Sequence, residues 1–148
     1  MKQITSRDNA LLRRVRRLLT SAAARREERT TLLDGPHLLQ AYLACYPAAQ
    51  VDLVVSQSSV VREEIAALIA QVGSARTFQV PDALFKSLSP TEHPVGILAS
   101  VPIPSTNPLP ALTPASEVDC LLLDGVQDPG NVGALLRTAC AAGFLRVY

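Results

Sequence analysis

The sequence predicts an α/β protein: a layered domain with a largely parallel sheet, a proline-rich linker, and the start of a second α/β unit. Three observations carry this. Over residues 1–101, apolar residues at helical spacing alternate with short β-branched runs. Five prolines fall in the fifteen positions 102–116, where neither helix nor central strand can form. A mostly apolar run at 118–123, interrupted by Asp119 and read as a strand buried on both faces of a sheet, then leads into a polar loop and another helical pattern.

Ser6 is placed to cap a first helix over 8–23, whose stripe is Leu11, Leu12, Val15, Leu18, Leu19 and Ala22. A strand over 30–33 ends at the turn signal Asp34-Gly35, and Pro36 opens a helix reaching Cys45. Residues 51–55 form a β-branched strand. Val61, Ile65, Leu68, Ile69 and Val72 mark a helix stopped by Gly73. A strand over 76–80, a short helix over 81–88 and a strand over 95–101 complete the domain. Residues 117–148 then supply one strand, the loop 124–130, a helix capped by Asn131 or Gly130, and, at 146–148, the start of another strand. The inward residues of that helix are Val132, Leu135, Leu136, Ala139 and Cys140. One βα unit cannot bury its own faces.

Composition narrows the function. With 48% apolar, 18% charged and no Trp, the chain builds an aliphatic core and is not a disordered tail. Cys45, Cys120 and Cys140 stand singly in apolar runs and read as buried thiols of a reducing compartment. Only His37 and His93 could join them at a metal, and neither has zinc-site spacing. No apolar stretch is long enough to span a bilayer, and no secretory leader is evident, so a cytoplasmic location is expected. The net charge of +1 hides an asymmetry. Residues 1–29 hold nine basic groups and three acids, a balance of +6, and the rest balances at −5. An arginine-rich end fits a polyanionic partner, and equally a solvated helix face.

The informative segment is LLLDGVQDPGNVGALLRTACAAGF, residues 121–144. It places polar groups beyond the carboxyl end of a strand, where open α/β sheets bind ligands. It is no phosphate loop, having neither GxxxxGK[ST] nor GxGxxG. Arg137 lies off the apolar stripe and offers a planar fork suited to phosphate. On local pattern alone a surface helix arginine is the favoured reading.

As a whole, the string closely resembles the first signature motif of SpoU-type (TrmH-like, SPOUT superfamily) RNA 2'-O-ribose methyltransferases. That motif is an apolar strand, a D-x-x-x-D-P-x-N-x-G loop, and a helix carrying an arginine. The matching positions are Asp124, Asp128, Pro129, Asn131, Gly133, Arg137 and Gly143. Ser6, Asn9, Arg13, Arg25 or Arg26, then Leu32-Leu33-Asp34-Gly35 with His37, resemble more loosely the family's substrate-binding domain. Arg13 stands where lysine is common and Asp34 where glutamate is. The segment 94–99 resembles the strand closing that domain.

The resemblance implies a small α/β/α RNA-binding domain (1–101), a linker (102–116) and the start of a knotted SPOUT methyltransferase domain (117–148). It implies methyl transfer from S-adenosylmethionine to a ribose 2'-hydroxyl of rRNA or tRNA. Arg137 and Asn131 would be catalytic. Arg7, Asn9, Arg13, Arg14, Arg16, Arg17, Arg25, Arg26 and His37 would contact RNA. Since arginine stays protonated, Arg137 would position and stabilise charge rather than act as a base. The family's G-x-E-G-x-G and S-L-N-V-S segments, which build the cofactor pocket and the knot through which it dimerises, are absent here. The chain by itself is therefore expected to bind no S-adenosylmethionine and to be inactive. The alternative function is a non-catalytic RNA-binding module.

Overall fold

In the computed structural model, residues 1–47, 49–89, 91, 94–105, 119–144 and 146–148 are described. Most of the proline-rich stretch, His93 and the first residue of the expected 118–123 strand fall outside them. The backbone divides into two compact units, Met1–Ser105 and Thr106–Tyr148.

The first unit runs β1 (Lys2–Gln3), α1 (Ala10–Thr20), α2 (Ala22–Glu27), β2 (Thr30–Asp34), α3 (Pro36–Cys45), β3 (Asp52–Ser56), α4 (Glu63–Val72), β4 (Thr77–Val80), α5 (Asp82–Lys86) and β5 (Ile97–Pro102). Its five strands lie in the order β1-β4-β3-β5-β2. Alternation along the two central strands builds a core on each face. Leu53, Val55, Ile97, Ala99 and Val101 meet Leu39 and Leu43 of α3 and Ile65 and Leu68 of α4. On the other face Val54 and Leu98 meet Leu12 and Val15 of α1 and Leu84 and Phe85 of α5. The unit is a three-layer α/β/α sandwich.

The sheet is mixed, where the alternation of elements suggested mainly parallel pairing. β1 and β3 pair parallel with β4, but β5 runs antiparallel to both β3 and β2. β5 starts beside the end of β3, where Val55 pairs with Ile97, and returns between β3 and β2.

Its entry is fixed by Gly96, at φ +97°. A Cβ there would lie 2.6 Å from both Ser56 Oγ and Ser59 Cβ. Ser59 Oγ meanwhile donates to the carbonyls of Ser56 (2.9 Å) and Gly96 (2.7 Å). Only glycine fits this backbone and this space.

Local starts and stops differ in part from the sequence reading. The first helix is capped by Asn9, whose Oδ1 accepts from Leu11 N at 2.9 Å. Ser6 instead accepts from Asp8 N. The expected single helix is broken at Ser21, which caps α2 by accepting from Ala24 N. Ala24 rather than Ala22 is the buried residue there. Val61 precedes α4 and is exposed. β1 was not foreseen, because two residues are too few to show a period.

The second unit pairs β6 (Cys120–Leu121) in parallel with β7 (Arg146–Val147) beside α6 (Pro129–Ala141). The β6 strand is shorter than the apolar run, and Leu122 is exposed. Of the five residues expected to face inward from α6, only Ala139 is buried. All three cysteines are exposed, contrary to expectation. Cys120 and Cys140 sit on elements with little around them, and Cys45 ends α3 at the surface.

Candidate RNA-facing and ribose-facing sites

In the second unit the loop motif reads as a helix-starting device. Asp128 is the N-cap: its Oδ2 accepts from Asn131 N at 2.8 Å, so the cap is neither Asn131 nor Gly130. Pro129 occupies the first turn, where its missing N–H costs nothing. A Cβ at Gly130 would lie 2.9 Å from that capping oxygen, so glycine keeps the cap clear.

Further along the helix, Gly133 does the same for Arg137. A Cβ there would sit 3.3 Å from Arg137 Nη1. Side chains in helices lean toward the N-terminus, onto the residue four earlier. The guanidinium therefore lies back along α6, over Gly133, toward the end that carries Asn131. Both Asn131 and Arg137 are exposed. Neither makes a side-chain hydrogen bond or ion pair among the described residues. The arrangement is an exposed amide and a planar cation on a capped helix end.

In the first unit the arginines separate into three groups. Arg14 and Arg17 are already paired. Arg14 Nε lies 2.6 Å from Glu28 Oε2, and Arg17 Nη2 lies 2.6 Å from Glu27 Oε2. Arg14 also donates to Thr30 Oγ1 at 3.4 Å. Arg16 and Arg25 donate to backbone carbonyls, those of Arg7 (2.7 Å) and Leu18 (2.5 Å), and so keep their charge unneutralised. Arg7, Arg13 and Arg26 have no side-chain partner among the described residues. Asn9 is spent on its cap. His37 is exposed in the first turn of α3, after the β2 carboxyl end. There Asp34 Oδ2 accepts from Ser89 Oγ at 3.0 Å and ties Ser89 to the end of β2.

Sequence reasoning missed Glu27 and Glu28, which divide the arginine set. The signal was available: acids ten to fourteen residues after arginines, across a helix break. It also missed Arg76, whose Nε meets Asp52 Oδ1 at 2.8 Å. Asp52 lies 3.9 Å from Arg14 as well.

In sequence and in fold the chain is similar to RNA methyltransferases, among them one of the TrmH family. Among curated proteins, the chain is 31% identical over 144 residues to the 23S rRNA (guanosine(2553)-2'-O)-methyltransferase of Bacillus subtilis, covering 97% of this chain and 52% of that protein. It is 30% identical over 153 residues to an uncharacterised tRNA/rRNA methyltransferase of Synechocystis, covering 98% and 51%. Among solved structures, a crystal structure of an RNA 2'-O ribose methyltransferase superposes with a TM-score of 0.75 at 27% identity, over 98% of this chain and 54% of that one. An AdoMet-bound rRNA methyltransferase from Sinorhizobium meliloti gives 0.74 at 26% identity, over 99% and 53%. No family model matches. The chain spans about half the length of these relatives.

Proposed function

We propose that this chain is the RNA-recognising portion of an RNA 2'-O-ribose methyltransferase. Residues 1–101 dock rRNA or tRNA, 102–116 link, and 117–148 begin the methyltransferase domain. The observation that carries this is the Asp128-capped helix presenting Asn131 and Arg137, on a chain similar throughout to half of such enzymes. At that helix end Arg137 grips the phosphate beside the target ribose with a planar, permanently charged fork. Asn131 orients the 2'-hydroxyl by donating or accepting through its amide. Holding a weak nucleophile in line is itself a large part of such catalysis.

The methyl group in this reading comes from S-adenosylmethionine. The residues present do not fit that molecule. The groove beside α6 is lined by Leu121, Leu135, Thr138, Ala139, Ala142 and Phe144. A single hydroxyl there must serve an adenine, a ribose diol, an ammonium and a carboxylate. Buried without partners, those groups lose more than the groove returns. The chain by itself therefore binds no S-adenosylmethionine, and calorimetric titration should show none. Dimerisation through a completed methyltransferase domain and a cytoplasmic location belong to the same proposal. Among the described residues no helix is long and apolar enough to cross a membrane.

The test is RNA affinity across a salt series. Affinity should fall linearly on a double-logarithmic plot as counterions are released. Changing Arg7, Arg13 and Arg26 together to Ala should weaken every RNA alike and flatten the slope by about one for each phosphate no longer neutralised. Changing Arg14 and Arg17, which hold carboxylates, should flatten it less. Affinity that ignores both salt and these changes would refute RNA docking on this face.

A further inference from the structure

At the end of the sheet where β3 and β4 begin and β5 finishes, on the face that α1 covers, a polar cavity of about 200 Å3 opens. Register assembles it. Asp52 and Ser100 are cross-strand partners, as are Thr30 and Pro102. By alternation they share one face with the buried Val54 and Leu98. Arg14 reaches in from α1, Arg76 from the turn before β4, and Gln50 from the chain entering β3.

The polar groups of this cavity are only partly used. Ser100 is 6% exposed, yet its hydroxyl makes no hydrogen bond among the described residues. A polar group buried to that degree normally has a partner, and here the cavity that Ser100 lines is where one can enter. Its cross-strand neighbour is half used. Asp52 Oδ1 accepts from Arg76 Nε at 2.8 Å, while Oδ2 lies 3.9 Å from Arg14 Nη1, beyond hydrogen-bond reach. Gln50 accepts from Arg76 Nη1 at 3.1 Å and keeps its amide N–H groups. The cavity thus offers a free hydroxyl, a free carboxylate oxygen and a free donor. Charge decides the class of occupant. Arg14 is matched by Glu28 at 2.6 Å and Arg76 by Asp52, so the cavity gains little by taking an anion. It suits a neutral hydroxyl, which donates and accepts at once.

We propose that this cavity holds a ribose of bound RNA and reads its 2'-hydroxyl. The proposal rests on the RNA-docking reading and adds a selectivity that the arginines lack, since they grip phosphates of any nucleic acid. The 2'-hydroxyl donates to Asp52 Oδ2 and accepts from the Ser100 hydroxyl. The Gln50 amide donates to a neighbouring sugar oxygen. The bond to Asp52 is the stronger, because its acceptor is charged. A strand without that hydroxyl leaves Asp52 Oδ2 and Ser100 unpartnered, so the site tells RNA from DNA.

The test uses the 148-residue chain, fluorescence anisotropy, and two oligoribonucleotides of one sequence, one of them 2'-O-methylated throughout. Length and charge are equal, and only the hydroxyl differs. The unmethylated strand should bind at least about tenfold more tightly, the lower end of what a hydrogen bond to a charged group contributes. Ser100→Ala should lower that ratio about twofold or more. Its melting temperature should hold or rise, because the hydroxyl removed has no partner in the protein. Asp52→Asn should lower the ratio further. Losing a negative charge also strengthens binding of both strands, and the ratio cancels that gain. Arg13→Ala, at an exposed cation with no side-chain partner among the described residues, should weaken both strands alike and leave the ratio unchanged. Equal binding of the two strands by the unaltered chain overturns the ribose contact while leaving RNA docking intact. A ratio that survives both Ser100→Ala and Asp52→Asn places the hydroxyl contact elsewhere and also overturns it. No binding of either strand overturns both readings.

Discussion

Helices α1 and α6 both carry apolar residues at helical spacing, set among arginines on α1 and mostly among small residues on α6, and they end in different environments. On α1, Leu12 and Leu18 are fully buried. On α6, Leu135 and Leu136 are 38% and 41% exposed. The difference is cover. α1 lies on a five-stranded sheet that has helices on both faces, whereas α6 has two strands of two residues each beside it. Periodicity thus shows which side of an element is apolar. Whether that side is buried depends on how much chain is there to cover it.

The largest contrast should appear between chemistry and stability. In a chimera joining this chain to the second half of a longer relative, Arg137→Ala should cost on the order of a hundredfold in methyl transfer. Its melting temperature should barely move, because the side chain is exposed. Near-normal turnover would remove Arg137 from the site, and a collapse in melting would make it structural.

The next contrast is between two leucines. Leu53→Ala, in the middle of the buried sheet, should destabilise the chain by about 2–5 kcal/mol in urea unfolding. Leu135→Ala should cost under about 1 kcal/mol, as its environment is already partly solvent. Equal costs would mean that α6 is covered.

Gly96→Ala should cost roughly 2 kcal/mol or more, from backbone strain and from contact with the two serines. Gly133→Ala, at a helical position against a flexible guanidinium, should hold or raise stability. Reversal of that order in thermal melts would show that the glycines are misread.

The smallest effect concerns acid. Asp82 accepts from the Ser58 backbone N–H at 3.0 Å and, secondarily, from its hydroxyl at 2.9 Å. These bonds hold its carboxyl below the usual range. Such a group contributes stability above its unfolded value, lost as pH falls through the folded one. Asp82→Asn should therefore flatten the decline of melting temperature below about pH 4 and change little at neutrality. An unaltered acid limb would show that the bonds are not formed in solution.

Most of the first unit was legible because its signals are local. Asp34-Gly35 and Pro36 set the β2–α3 junction, and Gly73 stopped α4, as expected. What escaped was non-local. The antiparallel return of β5 is a pairing with β3 and β2, far away in sequence, that no local pattern encodes. The break at Ser21 decides that Glu27 and Glu28 fold back onto Arg14 and Arg17. The burial of the thiols depends on cover, which residue type does not encode. At the capped helix the motif's positions were visible, and their division of labour was not: Asp128 caps, while Gly130 and Gly133 make room.

The contrast between the two units is tested most directly by native-state hydrogen exchange of the 148-residue chain. Amides of Leu53, Val54 and Val55, and of residues 98–100, should exchange slowest, near the limit set by global unfolding. Amides of Leu135 and Ala139 should exchange on the order of a hundredfold faster, since little buried apolar area holds α6 closed. Protection of α6 as strong as that of β3 would contradict this: its apolar face would then be covered in solution, and the second unit would not be the open βα unit inferred from its exposed leucines.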